Sequence, residues 1–211
     1  MSGQNNKNWT LEDWKQVIWS DESKFNLLNS DGKEYYWTNN PGALTPDSVK
    51  PTKKYGGGCV MVWSCMTWHG LGFSCKIDNT MDGELYSEIL KGELMNTIEY
   101  YDMDPLNVIF QHDNDPKHTS KVAKSTLSKL HLKTITWPSQ SPNMNPIEHL
   151  WDYLDTELRK HTQAFSKKDE ISLALENILK EKHVDYCQKL ISTMPQRVSD
   201  LLKAKGGYTR W

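Results

Sequence analysis

The spacing of hydrophobic and polar side chains changes along the chain, and each spacing predicts a different element. Residues 16–28 alternate between apolar and polar side chains, which predicts a long strand with Val17, Trp19 and Phe25 on one face. A short helix is predicted just before this strand, over residues 9–15, with Thr10 as its N-cap. The chain is therefore expected to begin with a helix that leads into a partly buried strand.

Further strands are predicted before residue 80. Residues 29–32 carry the signal of a hairpin turn, and residues 34–38 are the expected return strand. Apolar runs then predict strands over residues 59–68 and 70–78. Hairpins of this kind join antiparallel strands.

The middle of the chain alternates helices with short strands. A helix is predicted over residues 82–100, where apolar residues recur at helical spacing. A short strand follows over residues 107–112, then a helix capped by Thr119 or Ser120, then a strand over residues 134–137. Strands separated by helices in this way are expected to run parallel.

The last third of the chain is predicted to be helical. Further helices are predicted over residues 171–179 and 186–202, the second of them broken at Pro195. The first helix of this region begins at Asn145 and carries one apolar stripe, made of Ile147, Leu150, Trp151, Leu154 and Leu158.

Together these elements predict an α/β fold: a mixed sheet flanked by helices, with a helical C-terminal part. This is the strand order of a ribonuclease H-like (retroviral-integrase-like) domain. We expect one domain over residues 9–211, after a disordered or artificially added N-terminus over residues 1–8. Residues 39–58 are basic and rich in Pro and Gly, and are longer than a usual connection, which predicts an inserted functional loop.

Composition supports a folded protein and excludes some classes. Hydrophobic residues make up 37% of the 211 residues, which is enough for a core. The four Cys show no spacing typical of a zinc site, so reduced thiols are expected. No apolar stretch has membrane-spanning length and no signal peptide is visible. We expect a soluble, intracellular protein without membrane contact.

Charge is informative in its distribution only, since the net charge is −2. Residues 50–76 contain four Lys and no acid, and residues 116–146 contain five Lys and no acid. Such stretches are typical of segments that contact a phosphate backbone. A solvated Lys face on a helix would give the same pattern. The candidate contacts are Lys53, Lys54, Lys117, His118, Lys121 and Lys124. His118, like His112 and Asn114, borders the expected site, where it either positions phosphate or water or has a structural role.

Three acids occupy positions where a carboxylate suggests a functional role. Asp21 shares the apolar face of its strand, where an unneutralised charge is costly. Asp113 directly follows an apolar strand, and Glu148 lies in the first turn of a helix. If they converge, three carboxylates would suit hard divalent cations such as Mg²⁺ or Mn²⁺. Two such cations, about 3.5–4 Å apart, can drive the cleavage of a phosphodiester.

Each acid has an alternative. Asp113 has the sequence context of an Asx-turn, and Asp115 is its rival as a ligand. Glu22 is the rival on the first strand, although alternation places it on the opposite face. Glu148 has the spacing of a capping box with Asn145 as the cap, which would turn its carboxylate back onto its own helix.

Several longer motifs carry a family resemblance. The strings WSDESKF, GGG-x-x-MVW, QHDNDPKHTSK and WPSQSPNMNPIEHLW resemble the catalytic domain of mariner-superfamily (Tc/mariner) cut-and-paste DNA transposases, from about Trp9 to the C-terminus. The resemblance implies a ribonuclease H-like fold and an Asp–Asp–Glu triad with 34 residues between its last two members. Residue by residue, the triad is Asp21, Asp113 and Glu148.

The same resemblance sets the expected function. It implies two Mg²⁺ ions, for which Mn²⁺ substitutes, held by the triad, hydrolysis at transposon ends, and joining of the 3′-OH to target DNA. It also implies action in the nucleus and a homodimer, with the loop over residues 39–58 reaching the partner subunit. The family's helix-turn-helix modules do not precede this domain here, so we expect no sequence-specific end binding.

Two other functions remain open on the sequence. One is a host-adopted, non-catalytic DNA-binding or assembly module on the same fold, against which the intact triad argues. The other is a structure-specific or RNA-directed nuclease, which the motif resemblance disfavours.

Overall fold

The computed structural model describes residues 7–27, 58–78, 80–135, 144–160, 165–204 and 209. The predicted turn and return strand, nearly all of the loop over residues 39–58, and the end of the last predicted strand lie outside these residues.

The first helix, α1 (Leu11–Lys15), begins at a complete capping box. The side-chain oxygen of Thr10 accepts a hydrogen bond from the N–H of Asp13 at 3.4 Å. The carboxylate of Asp13 in turn accepts from the N–H of Thr10 at 2.7 Å. The predicted N-cap is thus confirmed, and α1 leads directly into the strand β1 (Val17–Asn26).

A five-stranded mixed sheet forms the centre of the described part of the chain. The strand order is β3-β2-β1-β4-β5. The pairs β1–β2 and β2–β3 are antiparallel, while β1–β4 and β4–β5 are parallel, as the connections predict. The strands after β1 are β2 (Cys59–Thr67), β3 (Gly70–Ile77), β4 (Ile109–Gln111) and β5 (Lys133–Thr134).

The single helix predicted over residues 82–100 contains a π-helical turn. Asp82 caps α2 (Gly83–Ile89) by accepting from the N–H of Leu85. The π-helical turn (Leu90–Leu94) and α3 (Met95–Tyr100) continue it without a break. The remaining helices are α4 (Lys121–Lys129), α5 (Ile147–Arg159), α6 (Lys168–Lys180), α7 (Val184–Ser192) and α8 (Met194–Lys203).

The sheet separates two hydrophobic cores. Trp19 and Phe25 of β1 lie in the core beneath α5 to α8, together with Leu154 and Ile191. Ile18, the residue before Trp19, lies in the other core, beneath α2 to α4. Because side chains alternate along β1, this one strand contributes to both cores. None of the described helices combines the length and the hydropathy that a membrane crossing would need.

Candidate active site

Asp21 and Asp113 lie at the same edge of the sheet because β1 and β4 are parallel neighbours. The register pairs Trp19 of β1 with Gln111 of β4. Asp21 is two residues beyond Trp19, and Asp113 is two residues beyond Gln111. Both acids are therefore at the carboxyl end of a parallel pair, where α/β sheets collect their ligands.

Glu148 approaches the same edge from α5, which packs across β1. The ring of Trp151 in α5 contacts Phe25 of β1 edge to face, with ring centroids 6.0 Å apart. This packing brings the Glu148 carboxyl to the Asp21 carboxyl, and the two form a hydrogen bond. The fold thus brings Asp21, in the middle of β1, into contact with Glu148, in the first turn of α5, although the two are far apart in the sequence.

The start of α5 decides between the two interpretations of Glu148. A capping carboxylate would return to the backbone at Asn145. Instead, the side-chain oxygen of Asn145 accepts from the N–H of Ile147 at 3.4 Å. The carboxyl of Glu148 is hydrogen-bonded to Asp21. The capping alternative is therefore wrong for Glu148.

Burial and the charges of neighbouring acids disfavour ionisation of Asp21 and Glu148. Burial, followed by the charge of Glu148, raises the pKa of Asp21 to about 8. Burial also raises the pKa of Glu148. Asp113 contributes repulsion to both groups. Without a cation, the paired carboxyls share a proton near neutral pH.

Asp113 is held differently from the other two acids. Its Oδ1 accepts a hydrogen bond from the N–H of Asp115 at 2.9 Å, so the predicted Asx-turn is present. The same oxygen is hydrogen-bonded to Nδ1 of His118. That hydrogen bond is the largest influence on Asp113 and lowers its pKa to about 2, against the opposing effect of burial. Asp113 is ionised and oriented.

His118 is an interior residue, which contradicts its predicted contact with a DNA backbone. Only 2% of its surface is exposed. Its Nε2 lies 3.1 Å from Oε1 of Glu22. Burial alone would lower the pKa of His118, but the hydrogen bonds to Asp113 and Glu22 outweigh it and raise the pKa to about 9. The imidazole therefore lies between two carboxylates as a cation.

The two rival acids do not face the Asp21–Glu148 pair. Glu22 lies on the opposite face of β1, as alternation predicts, and its Oε2 is 3.2 Å from Nζ of Lys117. Asp115 is 2.8 Å from the same Nζ. Lys117 thus neutralises two carboxylates and is largely buried, which argues against its predicted contact with DNA.

The other predicted DNA contacts stand differently. Lys121 and Lys124 are exposed on α4, where a phosphate backbone can reach them. Lys53 and Lys54 lie outside the described residues.

The donor chemistry of the triad fits a hard divalent cation, although its side chains do not converge on one point. Within the part of the chain that the structure describes, no three His, Cys, Asp or Glu side chains are close enough together to hold a metal ion as they stand. Asp21 and Glu148 are in contact, whereas Asp113 is bonded to His118. All three are oxygen donors, and burial and neighbouring acids raise the pKa values of Asp21 and Glu148, an unfavourable environment for carboxylates that a cation would offset.

Comparison with known proteins identifies the family. Residues 16–172 match the DDE superfamily endonuclease family. The transposable element Tc1 transposase of Caenorhabditis elegans is 38% identical over 209 residues, covering 96% of this chain and 73% of its own length. The mariner Mos1 transposase of Drosophila mauritiana is 23% identical over 212 residues, covering 92% of this chain and 56% of its own.

Solved structures show the same fold. The crystal structure of the catalytic domain of Mos1 mariner transposase superposes with a TM-score of 0.71 at 18% identity, covering 99% of this chain and 96% of that one. The Mos1 mariner paired end complex with Mn superposes with a TM-score of 0.78 at 20% identity, covering 99% of this chain and 63% of that one. The predicted ribonuclease H-like fold is thereby confirmed. The chain belongs to the DDE superfamily endonucleases, is homologous to the Tc1/mariner transposases, and is a DNA transposase catalytic domain.

Proposed function

We propose that this domain cleaves phosphodiester bonds at transposon ends and joins the freed 3′-OH to target DNA, with Asp21, Asp113 and Glu148 as its catalytic, metal-binding triad. One observation carries the proposal: the carboxyls of Asp21 and Glu148 are hydrogen-bonded to each other at the sheet edge where Asp113 also lies. Buried acids with pKa values raised in this way are typical of functional sites.

The interval between Asp113 and Glu148 supports the same triad. Its 34 residues contain α4 and β5, the helix and strand that continue the parallel side of the sheet. The chain then returns over β1 as α5, which places Glu148 above Asp21. The 34-residue spacing between Asp113 and Glu148 is thus the length of chain needed for the crossover through α4 to β5 and for the connection back to α5 above β1.

The proposed cofactors are two Mg²⁺ ions, for which Mn²⁺ substitutes. Mos1 paired end complexes have been solved with Mg and with Mn, which supports divalent metal use in the family. When bound, such ions activate a water or hydroxyl and stabilise the leaving oxygen. Asp21 and Glu148 would exchange their shared proton for the cation, and Asp113, already ionised, would contribute without a proton loss.

The other parts of the proposal concern partners. Lys121 and Lys124, exposed on α4, contact the DNA backbone and position it without reading sequence. Lys53 and Lys54 do the same from the loop over residues 39–58, which reaches a second subunit in an active homodimer. Residues 9–211 act as one catalytic domain, and the site of action is the nucleus. The paired-end complexes of Mos1 support the DNA partner.

A nicking assay tests the triad. The 211-residue protein is incubated with supercoiled plasmid and Mn²⁺, and nicked circles are counted for the parent and for Asp21→Asn, Asp113→Asn and Glu148→Gln. Each variant should lose at least about 100-fold in rate, since a metal ligand is replaced by a neutral amide. Glu88→Gln, on an exposed position of α2, is the matched control and should keep the parental rate.

Two results would contradict the proposal. Nicking by Asp113→Asn at the parental rate would remove that residue from the triad. A folded parent that binds DNA but makes no nick with Mn²⁺ would instead support the non-catalytic module, which the comparisons do not favour.

A further inference from the structure

We propose that Glu22 and His118 are a pair of positioning residues that fix the orientation of the Asp113 carboxylate; the inference rests on the proposed function of Asp113 as a metal ligand. The backbone N–H of Glu22 donates to the Asp21 carboxyl, but the Glu22 side chain leaves β1 on the opposite face. Both act from the opposite face of β1, where they connect the central strand to the loop after β4.

The first step is the pattern of hydrogen bonds on Asp113. The N–H of Asp115 and Nδ1 of His118 both contact Oδ1. Two donors on one oxygen fix the rotation of the carboxylate while leaving Oδ2 out of both contacts. The Asp113 side chain is 55% exposed, so packing alone does not hold it. The His118 bond is therefore what restricts it beyond the local turn.

The second step is the anchoring of the imidazole. Nε2 of His118 lies 3.1 Å from Oε1 of Glu22. The ring also packs on Tyr86, with ring centroids 4.1 Å apart. Glu22 is held in turn by Nζ of Lys117 at 3.2 Å. The imidazole is thus fixed at both nitrogens and on one face, and it cannot rotate away from Asp113 without breaking several contacts.

The third step is the location of the anchor on β1. Asp21 and Glu22 are consecutive residues, so their side chains leave the strand on opposite faces. Asp21 meets Glu148, and Glu22 holds the residue that holds Asp113. The strand β1 therefore fixes the positions of all three acids. Asp21 contacts Glu148 directly, and Glu22 acts on Asp113 through His118.

Partners that orient a ligating side chain typically change metal affinity by 10- to 100-fold when removed. We therefore expect His118→Ala and Glu22→Ala to raise the dissociation constant for Mn²⁺ by about 10- to 100-fold. Glu22→Gln should restore part of the loss, because its amide oxygen can still accept from Nε2. The double variant should lose little more than either single one, since both act through the same contact.

The experiment measures Mn²⁺ binding to the 211-residue protein by electron paramagnetic resonance, with thermal unfolding of each variant recorded alongside. The nicking rate is then followed as a function of Mn²⁺ concentration. A positioning role shifts the Mn²⁺ dependence more than the rate at saturation, whereas a merely structural role shifts the unfolding temperature. Glu88→Gln, on an exposed position of α2, is the control and should bind Mn²⁺ like the parent.

The outcomes separate this inference from the proposed function. Loss of Mn²⁺ binding in Asp113→Asn but parental binding in Glu22→Ala and His118→Ala would overturn the positioning role alone. Parental binding in Asp113→Asn would overturn the triad assignment and the inference with it. If His118→Ala does not fold, the comparison of Glu22→Ala with Glu22→Gln decides the question, and equal affinities for the two would overturn the inference.

Discussion

At the scale of single residues, the fold strongly disfavours the ionised form of the Asp21 carboxyl. It is enclosed beneath α5 and beside a second carboxyl, and together these raise its pKa to about 8 from 3.8. A residue chosen for stability alone would be apolar at this position, as Val17 and Trp19 are on the same face. The cost is retained because the proposed reaction needs an acid here.

This pKa makes the stability of the metal-free protein depend on pH. Because the folded pKa of Asp21 lies above its unfolded value, its contribution is fully present below about pH 4 and is lost as pH rises through about 8. His118, with a pKa raised to about 9, adds a loss of the same sign at the upper end. We expect the unfolding temperature in the presence of chelator to fall from about pH 5 to about pH 8.5.

Calorimetric unfolding with a chelator measures this slope. Asp21→Asn should flatten it over most of the range, because the amide does not titrate. The same slope in parent and variant would show that Asp21 does not have the raised pKa.

The three acids and their faces could be predicted from the sequence, but the contacts of Asp113 could not. Alternation along β1 correctly separates Asp21 from Glu22. The role of His118 depends on Glu22, which is far from it in the sequence and meets it only when β1 and β4 pair. The sequence alone does not distinguish a histidine that contacts DNA from a buried, structural one, so it leaves both roles open for His118.

At the scale of elements, α5 determines where Glu148 lies. Its predicted apolar stripe is buried in the core above β1, with Leu150 and Leu154 fully enclosed. Since the stripe fixes the rotation of the helix, it also fixes the direction of the first-turn carboxylate. The strength of the α5 periodicity is why the helix and its buried face were predictable.

We expect Leu154→Ala to destabilise the protein by about 2–5 kcal/mol, because it leaves a cavity in the core between α5 and β1. Leu173 on α6 offers the matched control, since it is 60% exposed. Leu173→Ala should change the free energy of unfolding by no more than about 0.5 kcal/mol. Urea unfolding measures both, and similar values for the two leucines would show that α5 does not carry the core.

The π-helical turn shows where element prediction loses detail. The apolar positions Leu85, Ile89, Leu94 and Ile98 are separated by four, five and four residues. The step of five spans the π-helical turn, which keeps Ile89 and Leu94 in the same core. A single helix averages over that step, since the hydrophobic period alone does not define the hydrogen-bond pattern.

At the scale of the whole molecule, the sheet joins two cores into one unit. Cys187 lies in the core beneath α5 to α8, and Cys65 lies in the core beneath α2 to α4. Both are fully buried, and burial raises the pKa of each thiol to about 12. The two thiols therefore report separately on the two sides of the sheet.

We expect both thiols to resist alkylation at about pH 8 in the native protein, because thiolate is the reactive form. Since β1 belongs to both cores, they should become reactive at the same urea concentration. Quantifying the modified peptides by mass spectrometry across a urea series checks this. Different midpoints for Cys65 and Cys187 would show that the two cores unfold independently.

The combination of parallel and antiparallel strands was predictable from the connections, but the exact bounds of the parallel strands were not. The parallel strands β4 and β5 are only three and two residues long, which is too short for a periodic signal. β4 is placed by its pairing with β1, and β5 by its pairing with β4.

The adjacency of Asp21 and Glu22 has one more consequence, for how this protein can change over generations. A substitution in β1 changes one side chain, but inserting or deleting one residue within the strand would move every later side chain to the other face. Asp21 would then face His118 and Glu22 would face Glu148, so both of the present contacts would be lost together. The number of residues in β1 is therefore constrained, in addition to the identities of Asp21 and Glu22.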